Sequence, residues 1–401
     1  MNVNALRAEI PALANHSDLI YFDNAATAFK PRCVIDAVRA YDGGSPFNIG
    51  RGDYAMARMV GEAYDNARKT IADVFGVESR QVIFTSGATD AVNLLAASLP
   101  VDTRLWSDGS PTTIISEAEH HSNWLPWWER SSKRRYILKC DQHGEIDYRD
   151  LERDGISSRQ LGVVAITAMS NATGYVPPLH MIDKLTPNRI AMCVDATQRV
   201  AHDPHMKLAD YHGEAVVLSS HKIGGPTGVG ALIVSEWLLE AMTPSRFGGG
   251  MVRHASINDV EYGEPPHVFE AGTPPIAQAI GFAEALRYLS GVMTSYVEHH
   301  MLTISNILYD GLERIPRLRV LGNEMDVAES PIQSFVVDGM SVADVGKRLD
   351  EQNVCVRVGN HCAQPYHRAM GVEHSIRVSL QYYNTEEEVE RFLKILGEIV
   401  G

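Results

Sequence analysis

The chain has 401 residues, 45% hydrophobic and 21% charged, proportions of an ordinary globular protein with room for a large domain and a smaller one. Its 36 basic and 50 acidic residues leave a formal charge of -14, which argues against a nucleic-acid groove or an anionic membrane as the main partner, since both require a basic face. No stretch approaches the roughly 18 apolar residues of a membrane span, and the opening MNVNALRAEIPALANHSDLIYF has no unbroken apolar run of a secretion signal, so a cytoplasmic protein is expected.

In chain order, the first strong periodicity is RMVGEAYDNARKTIADVF, where Val60, Tyr64, Ala67, Ile71 and Val74 recur at spacings of four and three and predict a helix with one buried face. The segment FTSGATDAVNLLAASL then places Gly87, Ala88 and Thr89 immediately before an apolar helix. Short apolar runs follow at TTIIS, GVVAIT, AMCVD, EAVVLS and GALIV, each closed by polar or Gly-rich turns. With helical segments between several of them, they predict an α/β domain built on a mainly parallel sheet with helices on both faces. From PPIAQAIGF onward the pattern changes to long helices, then to the strand candidates SFVVDG, VCVRVG and SIRVSL. The final helix carries its own start signal, Thr385 with Glu388 three residues on, and an apolar stripe of Val389, Phe392, Leu396 and Ile399. The expected division is a large domain over 17–275 and a small α+β domain over 276–401, with residues 1–16 packing on the latter.

Ligands of open α/β sheets bind beyond the carboxyl ends of the strands. Lys222 follows the run AVVL by four residues and Asp195 closes AMCV, so both belong at one rim. A lysine amine attacks carbonyls when burial or neighbouring charge lowers its pKa from about 10.4, and it can then hold an aldehyde as a Schiff base. Pyridoxal 5'-phosphate is such an aldehyde; it also needs an acid beside its ring nitrogen and donors around its phosphate. Asp195 can meet the first need. The turn at Gly87–Thr89, with free N–H groups at a helix start, can meet the second, with Ser219 and His221 as further donors.

The motifs DNAAT, TSGATDAVN, EAEHHSNWLPW, MSNATG, VDATQ, SSHKIGGPTGVGAL, FEAGTP, VGNHCAQP and YNT, in this order over nearly the whole chain, resemble the class V, fold-type I pyridoxal-phosphate enzymes. More narrowly, they resemble the SUF/CSD-type (group II) cysteine desulfurases and their selenocysteine-lyase relatives. The resemblance implies a fold-type I transferase architecture and a homodimer with shared active sites. It makes Lys222 the Schiff-base lysine, Asp195 the partner of the pyridine nitrogen, Gln198 a donor to the ring's phenolic oxygen and His120 the residue stacked on the ring. Asn171 would lie near cofactor and substrate. Ala88, Thr89, Ser219 and His221 would surround the phosphate, and Gly272 and Thr273 would reach the phosphate of the neighbouring subunit.

Of the cysteines Cys33, Cys140, Cys193, Cys355 and Cys362, an odd and scattered set, no disulfide framework or zinc pair is expected, and no metal site. Cys362, in the Gly- and Asn-containing stretch RVGNHCAQP, is the expected nucleophile, with His361 and Arg357 as candidates for tuning its thiol. Arg377 is the expected clamp on a substrate carboxylate, with Asn171 and Arg357 beside it. The implied reaction converts L-cysteine to L-alanine and leaves a persulfide on Cys362, for removal by a sulfur-acceptor protein or a small thiol. Two other readings stay open at this point: a selenocysteine lyase or other class V enzyme, and a non-catalytic scaffold or sulfur-relay partner. The pattern also departs from its relatives at Gly50, ahead of Arg51 and Gly52, at Ala88, at Ser220, at Asn360 and in VDATQ.

Overall fold

The computed structural model describes residues 2–50, 52–99, 112–130, 135–149, 151, 161–187 and 191–401; Arg51 lies outside them. Seven strands form the larger sheet in the spatial order Val82–Thr85, Gly230–Val234, Ala215–Ser219, Ala191–Asp195, Leu161–Thr167, Thr112–Ser116, Arg135–Leu138. All run parallel except Gly230–Val234, which is antiparallel to both neighbours. The apolar runs of the sequence supply five of these strands. Val82–Thr85 and Arg135–Leu138 complete the sheet beside them, the second with three of its four residues only partly buried, which is why no clean apolar run announces it.

The central strands are buried along their whole length, as expected of a sheet covered on both faces. On the helix Ala55–Phe75, the residues Val60, Tyr64, Ala67 and Ile71 are buried, the face anticipated from their spacing; Val74 is partly exposed and Phe75 completes the contact. The helix Ile276–Val292 packs against Arg32–Gly44 and Ala55–Phe75. This helix, expected in the smaller domain, thus makes these contacts with helices of the larger one.

A second sheet, antiparallel throughout, has the order Leu318–Leu321, Ile332–Val337, Ser375–Ser379, Arg357–Gly359. The run VCVRVG does not form one strand. Val354–Cys355 pairs in parallel with Ile20–Tyr21, whereas Arg357–Gly359 pairs with Ser375–Ser379, so the chain changes partner at Val356. The N-terminal segment thus takes half of a strand that its apolar pattern alone would assign to the smaller sheet. Ahead of it, Leu6 and Ile10 are buried and Arg7 meets Glu388 at 2.8 Å. Glu388 closes the capping box of the last helix, Glu386–Val400, in which Val389, Phe392 and Leu396 are buried.

Candidate active site

The strands Val82–Thr85, Thr112–Ser116, Leu161–Thr167, Ala191–Asp195 and Ala215–Ser219 are mutually parallel, so their carboxyl ends share one rim. A cavity of about 210 Å³ opens there. It is lined by Ala88, Thr89, His120, Asn171, Asp195, Gln198, Ser219, His221 and Lys222, all anticipated from the sequence, together with Ser122, Thr167, Met169 and Thr197.

Lys222 sits in a short 3-10 turn directly after the strand Ala215–Ser219, and the turn is closed by Gly224 at φ 80°. A Cβ there would come within 2.9 Å of the Phe29 carbonyl oxygen, so both the backbone conformation and the close approach call for glycine. Lys222 Nζ donates a short hydrogen bond to the Ala25 carbonyl, which also accepts from Gln198 Nε2 at 2.9 Å. Burial foremost, then the charge of Arg377, lowers the Lys222 pKa to about 8. Asp195 Oδ1 accepts from the Thr197 N–H at 3.0 Å, while burial raises its pKa. His120 is held neutral, its pKa lowered to about 4 by burial and by Lys222, and its Nδ1 accepts from the Ser122 N–H at 3.1 Å.

The other end of the cavity is rich in donors. The helix Ala88–Ser98 begins without a side-chain cap at Gly87. The Ala88 N–H donates to Ser219 Oγ at 2.8 Å, and Thr89 Oγ1 lies 2.6 Å from Ser122 Oγ. A Cβ on Gly230 would fall 2.6 Å from Gly87 Cα, so the strand and the turn touch backbone to backbone. The buried Thr197 Oγ1, on the cavity wall, has no hydrogen-bond partner among the described residues. An amine poised near neutrality, a buried acid, a flat neutral imidazole and an uncapped helix start with three nearby hydroxyls make a donor set that fits an aldehyde-bearing pyridine with a phosphate tail.

Beside this cavity the carboxylate of Asp23 holds two arginines. Arg357 Nη2 lies 2.6 Å from Oδ2 and Arg377 Nη2 lies 3.2 Å from Oδ1. Arg377 is buried, donates from Nη1 to the Asn171 carbonyl at 2.8 Å, and keeps its buried Nε without a partner among the described residues. Its charge is near enough to depress both Lys222 and His120. Arg357, expected to bind substrate or tune the thiol, is half exposed and forks onto Asp23 instead. Residues of the DNAAT segment thus set the site twice, through the Asp23 side chain and the Ala25 carbonyl, roles that no motif spacing discloses.

Cys362 lies on an exposed turn between Arg357–Gly359 and Gln364–Ala369. Its carbonyl accepts from the His121 N–H at 2.8 Å, and its N–H donates to Asn360 Oδ1 at 3.1 Å. Asn360 thus supplies an acceptor that fastens the cysteine's own backbone. The preceding carbonyl, that of His361, accepts from Asn171 Nδ2 at 2.7 Å. Through His120–His121 and Asn171, both cavity elements, the cysteine turn is tied to the cavity's edge. The His361 imidazole does not serve the thiol as expected. It is buried against Ser375 Oγ at 2.9 Å, because that hydroxyl offers a hydrogen bond that solvent at the turn would not replace once the ring is desolvated. Gly272 and Thr273 are exposed and lie along a separate recess with Asn48, Gly50 and Glu270, away from the Lys222 cavity of the same chain.

One further residue escaped the sequence reading. Glu119, fully buried behind His120, accepts from Ser116 Oγ, from Asn123 Nδ2 at 2.7 Å and from the Thr167 N–H at 2.9 Å, and burial raises its pKa to about 8. No sequence signal marks it, because EAEHHSNW is mostly polar; the buried acid is disclosed only by the donors around it.

Residues 20–392 match the family model "Aminotransferase class-V". A "Probable cysteine desulfurase" of Pseudomonas putida is 36% identical over 98% of this chain and 97% of its own length; one of Synechocystis sp. is 35% identical over 98% and 94%. Among solved structures, a cysteine desulfurase from Thermococcus onnurineus NA1 superposes with a TM-score of 0.91 at 30% identity, covering 99% of this chain and 98% of its own. The S-sulfonic acid form of the cysteine desulfurase CsdA from Escherichia coli gives a TM-score of 0.87 at 29% identity over the same shares.

Proposed function

The chain belongs to the class-V aminotransferase family, and from that membership we propose that it is a pyridoxal-phosphate-dependent cysteine desulfurase that converts L-cysteine to L-alanine and carries the sulfur as a persulfide on Cys362. One observation carries the reading: the cavity holding Lys222 and Asp195 is bound through Asn171 and His121 to the turn that presents an exposed cysteine. Lys222 would hold the cofactor's aldehyde carbon, Asp195 its ring nitrogen, His120 its ring face, and Ala88, Thr89, Ser219 and His221 its phosphate. Gln198, with one N–H already on Ala25, keeps a second donor for the ring oxygen. When bound, the cofactor supplies an electron-withdrawing ring that stabilises negative charge on carbons beside the substrate amine.

The protein's residues supply the remainder. Arg377 takes the substrate carboxylate with Asn171 beside it, and the buried, unpartnered Nε supports this role. Lys222 would take up the proton of the substrate Cα, and neutral His120 is placed to exchange a proton nearby. The Cys362 thiolate would attack the substrate sulfur; the carbon–sulfur bond breaks, its electron pair stays on Cβ, and protonation there together with return of the Cα proton from Lys222 gives alanine. The balance is cysteine plus a Cys362 thiol giving alanine plus a Cys362 persulfide. A sulfur-acceptor protein or small thiol then removes the terminal sulfur.

Gly272 and Thr273, which do not line the Lys222 cavity of their own chain, would serve the phosphate site of a second copy in a homodimer. Among the described residues no helix is long and apolar enough to cross a membrane. Incubation with cysteine followed by peptide mass spectrometry tests the whole assignment. One added sulfur on the Cys362 peptide, with stoichiometric alanine, is expected; alanine without any added sulfur on Cys362 would overturn the persulfide route. Repeating the assay with selenocysteine and cysteine sulfinate identifies the preferred leaving atom.

A further inference from the structure

The two residues that flank Cys362 are fastened to one buried hydroxyl. His361 Nε2 and His367 Nε2 each lie 2.9 Å from Ser375 Oγ, and His367 Nδ1 lies 3.0 Å from the Ala363 carbonyl oxygen. His367 and Ser375 are fully buried, and His361 is 9% exposed. A carbonyl can only accept, so His367 Nδ1 carries the hydrogen. In a neutral imidazole Nε2 is then the acceptor, the single Ser375 O–H points to it, and a serine lone pair is left for a His361 Nε2–H. Burial foremost depresses both histidine pKa values, that of His361 to about 2, which keeps both rings neutral and the proton order unique. His361 Nδ1 is left as a buried acceptor with no partner among the described residues.

The bonds close a ring. It runs from the His361 imidazole through Ser375 to the His367 imidazole, on to the Ala363 carbonyl, and back along the main chain through Cys362. The enclosed backbone is strained: His361 and Cys362 have φ of 51° and 56°, consecutive left-handed positions that residues with a Cβ avoid unless their surroundings enforce them. The contacts of Asn360, His121 and Asn171 hold the backbone of the turn from outside. The ring holds both neighbours of the thiol to the strand Ser375–Ser379, which also carries Arg377.

Resting on the reading of Cys362 as the sulfur acceptor, we propose that Ser375 and His367 are positioning residues for sulfur transfer. Their hydrogen bonds keep Cys362 in its left-handed conformation and so fix the direction of its thiol, with His361 as a link of the ring. The strand that carries the proposed carboxylate clamp then also sets the direction of the attacking sulfur.

The test uses the full-length, cofactor-loaded protein and two variants: Ser375→Ala, which removes the shared hydroxyl, and His367→Asn, whose amide can still reach Ala363 but not Ser375. In both, alanine release at saturating cysteine should fall about tenfold with KM changed by less than about twofold, as for a misdirected nucleophile in an intact binding site. The cysteine-induced change in the cofactor's visible absorbance should persist. Iodoacetamide labelling of Cys362, followed by peptide mass spectrometry, should quicken several-fold as the turn is released. An unchanged kcat and labelling rate in an active enzyme would sink the ring and leave the desulfurase reading standing. Loss of the absorbance change together with kcat would also sink it, by marking a general loss of structure. Faster labelling in variants of a protein that releases no alanine even as wild type would instead overturn the desulfurase reading and keep the ring as the anchor of the turn. Should Ser375→Ala fail to fold, His367→Asn carries the same test.

Discussion

The lysine and the cysteine are held in opposite ways. Lys222 follows a fully buried strand with neighbours on both sides in the seven-stranded sheet, and its amine is fixed by a main-chain carbonyl. Cys362 stands on an exposed turn beside the last strand of a four-stranded sheet, in a backbone conformation that depends on side-chain hydrogen bonds. The contrast matches two demands. Chemistry at carbon requires groups that do not reorganise, whereas handing sulfur to another molecule requires a thiol that the other molecule can reach. Rigidity at the rim and access at the turn are therefore separable properties, and substitutions should divide accordingly.

The largest effect should come from Lys222→Ala. Activity should fall by roughly ten-thousandfold, and borohydride should no longer fix pyridoxal phosphate to the protein; fixation at another lysine would break the rim half of the contrast. Cys362→Ala should come next, with alanine release from cysteine down about a thousandfold and the visible absorbance of the cofactor unaltered. An equal loss of absorbance would show that the turn is part of the rim after all. Asp195→Asn should lower activity about a hundredfold through lost electrostatic support of the ring, with persulfide formation and alanine release reduced in proportion.

The smallest effect is a pH dependence. Only the uncharged amine attacks a carbonyl, and the Lys222 pKa of about 8 lies below the unfolded lysine value, so the reactive fraction grows as pH rises through that region. The uptake of pyridoxal phosphate by cofactor-free protein, followed by absorbance, should accelerate about tenfold between pH 7 and 9 and then level off. The same shift sets the sign for stability. Between pH 8 and the ordinary lysine value the unfolded chain holds more protons at this group, so its burial destabilises the cofactor-free fold less as pH rises. A flat uptake profile would mean that Lys222 is not the group that loads.

The rim was more legible in the sequence than the turn, for a physical reason. Asp195 and Lys222 each follow an apolar run, and strand ends are readable because buried strands leave continuous hydrophobic signals. The helix start at Gly87 and the capping box at Thr385 are local chemistry and could be read locally. Arg357 and Asp23 were harder because they meet partners far away in the chain, and His361 and Glu119 because each takes a partner from another element. Asp23 meets residues more than 300 positions away, and Glu119 reaches Thr167. No periodicity records such pairings. The strand at Val354–Cys355 was misread as continuous with its successor for the same reason, since its partner Ile20–Tyr21 lies at the other end of the chain.

The link between Lys222 and Ala25 has a consequence for how this site tolerates change. Its acceptor belongs to the peptide group, so every amino acid at position 25 brings the same oxygen, and no replacement of that side chain deletes it. Such a tether is invisible to scanning by single substitutions; it answers only to displacement of the polypeptide itself, as by an insertion or deletion between Asp23 and Thr27.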